Sequence, residues 1–267
     1  MEYLHERKIA MNLNDGLLDY LFNSKTLSVD FLPILSALLI VGVIVISYLL
    51  GSINTSIIIS KLIYNDDVRR HGSGNAGMTN MLRTYGKSAA LLTLVGDLMK
   101  TVIAIFVAAF FFGFNYVAAV STGLGVCYIA GLFVVVGHIF PVFYKFKGGK
   151  GVLATASMAL ILSPVPFLIL LLIFVGIVAA SKYVSLGSVT VATLYPVVLS
   201  GYFKVVFPEH PYLPGFAALT SVLLAILIVW CHRANLTRIS NRTEHKISFG
   251  KKKPEPEVAP EEDDDEE

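Results

Sequence analysis

The sequence predicts an all-α protein, a polytopic membrane bundle of about seven transmembrane helices. Hydrophobic residues make up 55% of its 267 residues and charged residues only 15%, whereas soluble domains carry about 25% charged residues. The mean hydropathy is +0.70. The charges are clustered, and the apolar runs between them are long enough to cross a bilayer as helices. Helices are favoured there because they satisfy their own backbone hydrogen bonds in hydrocarbon.

The apolar residues fall into seven segments. They cover roughly 31–60, 88–112, 116–137, 152–163, 165–181, 186–206 and 215–232. The fourth segment is short, and Ser163-Pro164 separates it from the fifth. These two segments therefore form either a tight hairpin or a re-entrant pair, and five full crossings plus that pair is the alternative count.

Among the connections between these segments, lysine and arginine occur only in alternate ones. They occur in 61–87, 138–151, at Lys182 and after residue 232, whereas 113–115, 163–164 and 207–214 contain none. Because basic connections stay in the cytoplasm, this distribution predicts an outside N-terminus and a cytoplasmic C-terminus. The functional site is expected on the cytoplasmic side of the cell membrane.

The chain is expected to have three parts. Residues 1–30 are an N-terminal extension, interpreted as a surface helix or a loose extension, and 31–250 form the membrane-embedded domain. Residues 251–267 are a disordered tail, of which 255–267 hold nine acids and no base. The rest of the chain has 21 Lys and Arg against ten acids. A basic body of this kind suits anionic lipid headgroups or phosphorylated substrates.

The first candidate site is the stretch Phe146–Gly151, which interleaves lysines with glycines just before an apolar segment. Glycines let the backbone turn so that amide groups point inward. A following helix N-terminus adds free donors, and Lys147 and Lys150 add charge. The spacing is not that of a Walker A loop. It predicts a phosphate-binding loop, the alternative being a flexible basic connection.

The second candidate is a longer polar stretch, 67–83, rich in small and hydrogen-bonding residues. Its glycines predict a tight turn, with Ser73 or Asn75 capping the next helix. Ser73, Asn75 and Arg83 are candidates for binding a ligand anion. Asn80 has two interpretations, a substrate contact or a brace between closely packed helices.

The third candidate follows the last apolar segment. His232 and Asn235 are three residues apart, which places them on one face if the helix continues, and Glu244 lies downstream. Ser185 begins the sixth segment, where it either caps the helix or reaches the site. His138 precedes the lysine–glycine loop and is interpreted as an interfacial capping histidine.

Two further pairs of residues are candidates, one for an intramembrane ion pair and one for a disulfide or metal-binding pair. Asp97 and Lys100 are three residues apart in an apolar segment, which predicts an intramembrane ion pair. Cys127 and Cys231 belong to no CxxC or Cys/His cluster, so we expect neither a disulfide framework nor a metal site.

These stretches, in this order, resemble the three cytoplasmic motifs of the acyl-phosphate:glycerol-3-phosphate acyltransferase family, bacterial integral membrane enzymes. The resemblance covers residues about 40–250, and the ordered set is far more specific than any single motif. It is carried by Gly51-Ser52-Ile53, by the Gly-Ser-Gly-Asn run that ends at Arg83, by Gly137 through Gly151, by Tyr183 through Ser188, and by His232-Arg233-Ala234-Asn235 with Thr243-Glu244-His245-Lys246.

The resemblance implies a seven-helix fold and a specific reaction. A fatty acyl group passes from acyl phosphate to the 1-hydroxyl of glycerol 3-phosphate, giving lysophosphatidic acid and phosphate, in the first acylation of phospholipid synthesis. The implied partners are these two substrates and membrane lipid. We expect no nucleic-acid partner, no cofactor and a functional monomer.

The resemblance also implies residue roles. Ser73 and Arg83 hold a phosphate, and Glu244 supports the structure. The residues implied to bind acyl phosphate are Gly148, Gly149 and Gly151, and Lys147 or Lys150 binds its phosphate. Asn235 and His232 fall on the catalytic positions. The base that takes the hydroxyl proton is left open between His232 and the phosphate of the donor itself.

A transporter for an organic phosphate anion is the alternative function. Broken helices whose N-termini point at an anion would suit it, but it would carry mid-span charges and inverted repeats. The polar residues here cluster at one end of the apolar segments. A structural membrane subunit is weaker still, because it does not explain two phosphate-type loops.

Overall fold

The computed structural model describes residues 16–24, 28, 30–113, 122–206 and 215–247. Within these residues the chain forms eleven α-helices and no strand. They are α1 (Gly16–Asn23), α2 (Leu32–Ser52), α3 (Thr55–Tyr64), α4 (Met78–Tyr85), α5 (Lys87–Phe112), α6 (Thr122–Ile139), α7 (Val152–Leu162), α8 (Pro164–Ser181), α9 (Val184–Val206), α10 (Gly215–Cys231) and α11 (Arg233–Ser240). The predicted acidic tail, 251–267, lies outside the described residues.

The prediction of a multi-pass helical membrane protein is confirmed. Five spans among the described residues are long and apolar enough to cross a bilayer, and α10 taken with α11 makes a sixth. The remaining predicted segment is α7, which has only 11 residues. At 1.5 Å per residue it is about 16 Å long, against about 30 Å of hydrocarbon. It pairs with α8, which begins two residues after α7 ends.

The first predicted apolar segment is not one helix. It breaks into α2 and α3, and the side chain of Asn54 caps α3 by accepting a hydrogen bond from the N–H of Ile57 at 3.2 Å. The break leaves carbonyl groups at the end of α2 without helical partners. Lys100 on α5 donates to two of them, Gly51 O at 3.2 Å and Ile53 O at 3.1 Å. The predicted segment is therefore one apolar span, Leu32–Tyr64, that is built from two helices.

Small residues let α2 and α6 approach closely. A Cβ added at Gly51 would collide with the backbone of Val134, and one added at Gly137 would collide with the backbone of Tyr48. The Tyr48 hydroxyl also donates to Phe140 O at 2.9 Å. Close contact through glycine is a common way to pack membrane helices. Here it fixes the end of α6, from which the lysine–glycine loop departs.

The main hydrophobic core lies between α5, α6, α7, α9 and α10. Leu18 of α1, within the predicted N-terminal extension, is buried in the same core. By contrast α8 exposes large apolar side chains, among them Leu168 and Leu172, as expected of a helix that faces lipid. The hairpin of α7 and α8 therefore closes one side of the bundle and leaves space between itself and α9.

Candidate active site

The three polar stretches meet at one end of the bundle, around a cavity of about 730 Å³. Of the thirteen predicted site residues, ten line it: Ser73, Asn75, Asn80, Arg83, Lys150, Gly151, Ser185, His232, Asn235 and Glu244. The other three, Lys147, Gly148 and Gly149, are absent from its wall. Residues more than 150 positions apart in the chain thus face one space.

The cavity has a polar mouth and an apolar interior. The interior is formed by α7, α8 and α9, with the side chains of Leu153, Phe167, Leu170, Phe174, Val178 and Tyr195. An apolar pocket with a few converging polar groups is the usual form of a ligand site. This one matches a ligand with an anionic head and a long apolar chain.

Arg83 points into the polar mouth from α4. Its side chain is half-buried and makes no hydrogen bond or ion pair with any other described residue. Burial lowers the pKa of Arg83, while nearby Glu244 acts in the opposite direction. The guanidinium stays charged, and its planar set of donors matches phosphate geometry. Arg83 is therefore a cation without a partner in a cavity.

Asn80 braces the turn that carries Ser73. Its Oδ1 accepts from the Ser73 N–H at 3.0 Å, and its Nδ2 donates to Val68 O and His71 O, each at 3.0 Å. Only 1% of Asn80 is exposed. These bonds favour the brace over the substrate contact for Asn80. The Ser73 hydroxyl, in contrast, makes no hydrogen bond within the described part of the chain.

The predicted helix cap in this stretch is wrong. α4 begins at Met78, and Gly77 rather than Ser73 or Asn75 is its N-cap residue. Ser73 and Asn75 instead line the cavity, and their side chains make no capping hydrogen bond to α4. This placement leaves both available to a ligand.

The lysine–glycine loop uses its glycines differently from the prediction. The Gly148 N–H donates to Ile139 O at 3.1 Å, and the Gly149 N–H donates to His138 O at 3.0 Å. These two amide groups hold the loop against the end of α6, so they are not free to cradle a phosphate. An added Cβ at either glycine would collide with His138. The loop therefore needs glycine for close packing.

Gly151 and Lys150 are the parts of this loop that reach the cavity. Gly151 has a φ of +78° and is the N-cap residue of α7, a conformation that glycine adopts without strain. The α7 N-terminus, with its unpaired amide groups, therefore opens at the cavity.

The structure separates the two lysines. Lys150 Nζ donates a hydrogen bond to Asn235 Oδ1 inside the cavity. Lys147 is exposed outside it, and its carbonyl accepts a hydrogen bond from Arg69 at 3.2 Å. Burial lowers the pKa of Lys150 to about 8. Lys150 is thus the lysine placed to meet a bound anion.

Glu244 connects the third stretch to the rest of the site. Its carboxylate accepts hydrogen bonds from Ser185 Oγ at 2.9 Å, Asn235 Nδ2 at 2.6 Å and Arg238 Nε at 2.7 Å. Burial acts to raise the pKa of Glu244, but these hydrogen bonds outweigh it and hold the pKa below its ordinary value. Glu244 therefore orients Asn235, and Asn235 in turn orients Lys150.

His232 lies where α10 ends and α11 begins, and the helices bend by 53° there. The helix therefore does not continue straight through His232 to Asn235, yet both side chains reach the cavity. His232 Nδ1 lies 2.7 Å from Ile228 O. A carbonyl only accepts, so Nδ1 carries the proton and the neutral ring keeps a lone pair on Nε2. Nε2 has no partner among the described residues.

The cavity wall includes polar residues that the sequence did not single out as site residues. Asp97 forms the predicted pair with Lys100, at 2.8 Å, and also lines the cavity. Thr155 lies four residues after Gly151, one turn into α7, and its buried hydroxyl has no partner in the described structure. His138 reaches the cavity instead of serving only as a cap. Among the described residues no group of three or more His, Cys, Asp or Glu side chains is placed to hold a metal ion.

Comparison with known proteins identifies the fold and the family. Residues 41–242 match the family described as "Glycerol-3-phosphate acyltransferase". The glycerol-3-phosphate acyltransferase of Mycoplasmopsis agalactiae is 40% identical over 222 residues, covering 76% of this chain and 91% of the relative.

Crystal structures of PlsY (YgiH), an integral membrane glycerol 3-phosphate acyltransferase, have the same fold. The glycerol 3-phosphate form aligns with a TM-score of 0.65 and 31% identity, covering 78% of this chain and 96% of PlsY. The lysophosphatidic acid form aligns with a TM-score of 0.63 and 30% identity, covering 78% and 95%. The family match extends over three quarters of the chain and includes Ser73, Arg83, Lys150 and His232 of the cavity, and the chain belongs to the glycerol-3-phosphate acyltransferase family.

Proposed function

We propose that this protein transfers a fatty acyl group from acyl phosphate to the 1-hydroxyl of glycerol 3-phosphate, giving lysophosphatidic acid and inorganic phosphate. The observation that carries the proposal is that Arg83, Lys150 and His232 line the same cavity, which has an apolar interior. Two cations suit two phosphorylated substrates, and the interior suits an acyl chain. The acceptor and product are also the ligands named for the two PlsY structures.

Each substrate has its own binding groups in this proposal. Arg83 and the Ser73 hydroxyl hold the phosphate of glycerol 3-phosphate. Lys150, with the N-terminus of α7 at Gly151, holds the acyl phosphate, and its chain lies between α7, α8 and α9. Alignment of two reactants in this way supplies roughly 7–11 kcal/mol of a barrier. The cations also offset the repulsion between the two phosphates.

The reaction is a single displacement at the acyl carbon. The 1-hydroxyl oxygen attacks the carbonyl carbon, the bond from that carbon to the phosphate oxygen breaks, and phosphate leaves. The hydroxyl proton goes to His232 Nε2, the nitrogen that keeps its lone pair. Acyl phosphate is a mixed anhydride with a good leaving group, so the protein mainly aligns substrates, stabilises charge and removes one proton.

The direct test is an assay of purified protein with acyl phosphate and glycerol 3-phosphate. We expect equimolar release of phosphate and lysophosphatidic acid. Parallel reactions use acyl-CoA or acylated acyl carrier protein as the donor. Activity with these donors but not with acyl phosphate would overturn the proposed donor and leave acyl transfer to glycerol 3-phosphate intact. No acylated product with any donor, combined with phosphate-ester uptake into vesicles, would instead favour the transporter.

The pH dependence of the reaction should reflect Lys150. Burial lowers its pKa to about 8, so the side chain is cationic below that pH and loses its charge as the pH rises through it. We expect kcat/KM for acyl phosphate to fall above pH about 8. In Lys150→Arg the fall should move to higher pH because arginine stays protonated. A wild-type profile that stays flat to high pH would contradict this role for Lys150.

The proposed active site faces the cytoplasm, because the basic connections lie at the cavity end of the bundle. We expect a membrane-impermeant maleimide to label Lys147→Cys only after cells are opened. The matched control is Val205→Cys, exposed at the far end of α9, which should react in intact cells. Both variants carry Cys231→Ala, since Cys231 is partly exposed and Cys127 is buried. The reverse labelling pattern would overturn the orientation.

A further inference from the structure

His138 belongs to a buried polar cluster beneath the lysine–glycine loop. Lys100 Nζ lies 2.9 Å from His138 Nδ1 and 2.8 Å from Asp97 Oδ1. The three side chains come from α5 and α6, and each is at most 5% exposed. Buried polar groups of this kind are costly unless they are paired. The contacts within the cluster therefore fix which of its nitrogen and oxygen atoms carry a proton.

The contacts of Lys100 determine which nitrogen of His138 carries the ring proton. An ammonium group has three N–H donors and cannot accept. Lys100 shares these donors among Asp97, His138 and the carbonyl groups of Gly51 and Ile53, so the Nδ1 that faces it at 2.9 Å presents a lone pair. Asp97 Oδ1 is 3.7 Å from Nδ1, which is too long for a hydrogen bond. With Nδ1 acting as an acceptor, the neutral imidazole carries its hydrogen on Nε2.

His138 Nε2 lies beside the lysine–glycine loop, next to Gly149. His138 lines the cavity wall, and its Nε2 makes no hydrogen bond within the described residues. It lies against Gly149, where an added Cβ would collide with it and would come within 2.6 Å of Ala76 O. The absence of a side chain at Gly149 therefore leaves this N–H open beside the loop that ends at Lys150.

The two histidines of the cavity have opposite tautomers. His232 donates through Nδ1 to Ile228 O and keeps a lone pair on Nε2, whereas His138 accepts through Nδ1 and presents an N–H at Nε2. One ring is suited to take a proton, and the other to donate a hydrogen bond to a negatively charged oxygen. Such charge-assisted hydrogen bonds are the stronger kind.

We propose that His138 is a further substrate-binding residue, which donates a hydrogen bond from Nε2–H to an oxygen of the bound acyl phosphate. Lys100 and Asp97 are positioning residues that keep the ring in this tautomer. The inference rests on the proposed function, since it takes acyl phosphate as the ligand. A fixed donor aimed at an oxygen that gains charge as the acyl group is transferred accelerates the reaction.

Two substitutions of His138 test its Nε2–H donor separately from the contact that its Nδ1 makes with Lys100. In His138→Asn the amide oxygen takes the place of Nδ1 and still accepts from Lys100, but no donor reaches the position of Nε2. In His138→Gln the longer amide places an N–H near Nε2. We expect His138→Asn to lower kcat/KM for acyl phosphate by about 10²–10³-fold, with an unchanged KM for glycerol 3-phosphate, and His138→Gln to recover at least about tenfold of that loss.

Three outcomes would overturn the inference. The first is His138→Asn activity within about threefold of wild type, the range of a lost weak contact. The second is a His138→Gln variant less active and less heat-stable than His138→Asn, which indicates a buried structural role alone. The third is independent of folding in the variants: nitrogen-15 NMR of histidine-labelled wild-type protein that places the His138 proton on Nδ1. The wild-type protein is assayed alongside the variants. If it turns over acyl phosphate, the proposed function holds and the three outcomes above test the role of His138 alone.

Discussion

Replacing Lys150 with methionine is expected to lower kcat/KM for acyl phosphate by about two to three orders of magnitude, because removing one partner of a buried charge pair costs about 2–5 kcal/mol. Lys150 is a cation within the cavity, and methionine keeps much of its length and apolar stem while removing the charge. The measurement is initial-rate kinetics with acyl phosphate varied at saturating glycerol 3-phosphate. Thermal unfolding in detergent should show that the protein remains folded.

Lys147→Met is the matched control, since it makes the same change three residues earlier in the same loop. Lys147 is exposed and outside the cavity wall. Its removal changes only the screened surface charge, so we expect activity within about threefold of wild type. Equal losses in the two variants would mean that the loop acts through its general positive field, and would refute a direct contact between Lys150 and the donor.

Replacing His232 with asparagine is expected to lower kcat by about 10²–10⁴-fold, the usual contribution of a general base. Asparagine retains a donor near the position of Nδ1, so the hydrogen bond to Ile228 O at 2.7 Å can be kept. It lacks the basic Nε2, so the hydroxyl proton has no acceptor on the protein. The measurement is kcat as a function of pH for both proteins.

His71→Asn is the control for the histidine substitution. His71 is exposed, and its Nε2 pairs with Asp66 at 2.7 Å instead of lining the cavity, so near-normal turnover is expected. Near-normal turnover in His232→Asn as well, with the wild-type pH profile, would show that the phosphate of the donor takes the proton. That outcome would leave Arg83 and Lys150 as the main catalytic contribution of the protein, through alignment and charge.

Several site residues were found from sequence, but their contacts were not. The lysine–glycine loop was recognised as a phosphate-type loop, yet the Gly148 and Gly149 amides bond to carbonyls of α6. Asn80 had two interpretations, and its three hydrogen bonds favour the brace. The break between α2 and α3 was also missed, because the residues on both sides are apolar and hydropathy does not register a change of backbone direction.

The sequence by itself determined the membrane class, the order of the apolar segments, the three polar stretches and the family resemblance. These are local properties, since hydropathy, charge and motif spacing are read over neighbouring residues. Only the tertiary structure decided between Lys147 and Lys150, and only it assigned the protons of His138 and His232. The physical reason is that a proton's location depends on the hydrogen-bond partner, and the partners of Lys150 and His138 are Asn235 and Lys100, on other helices.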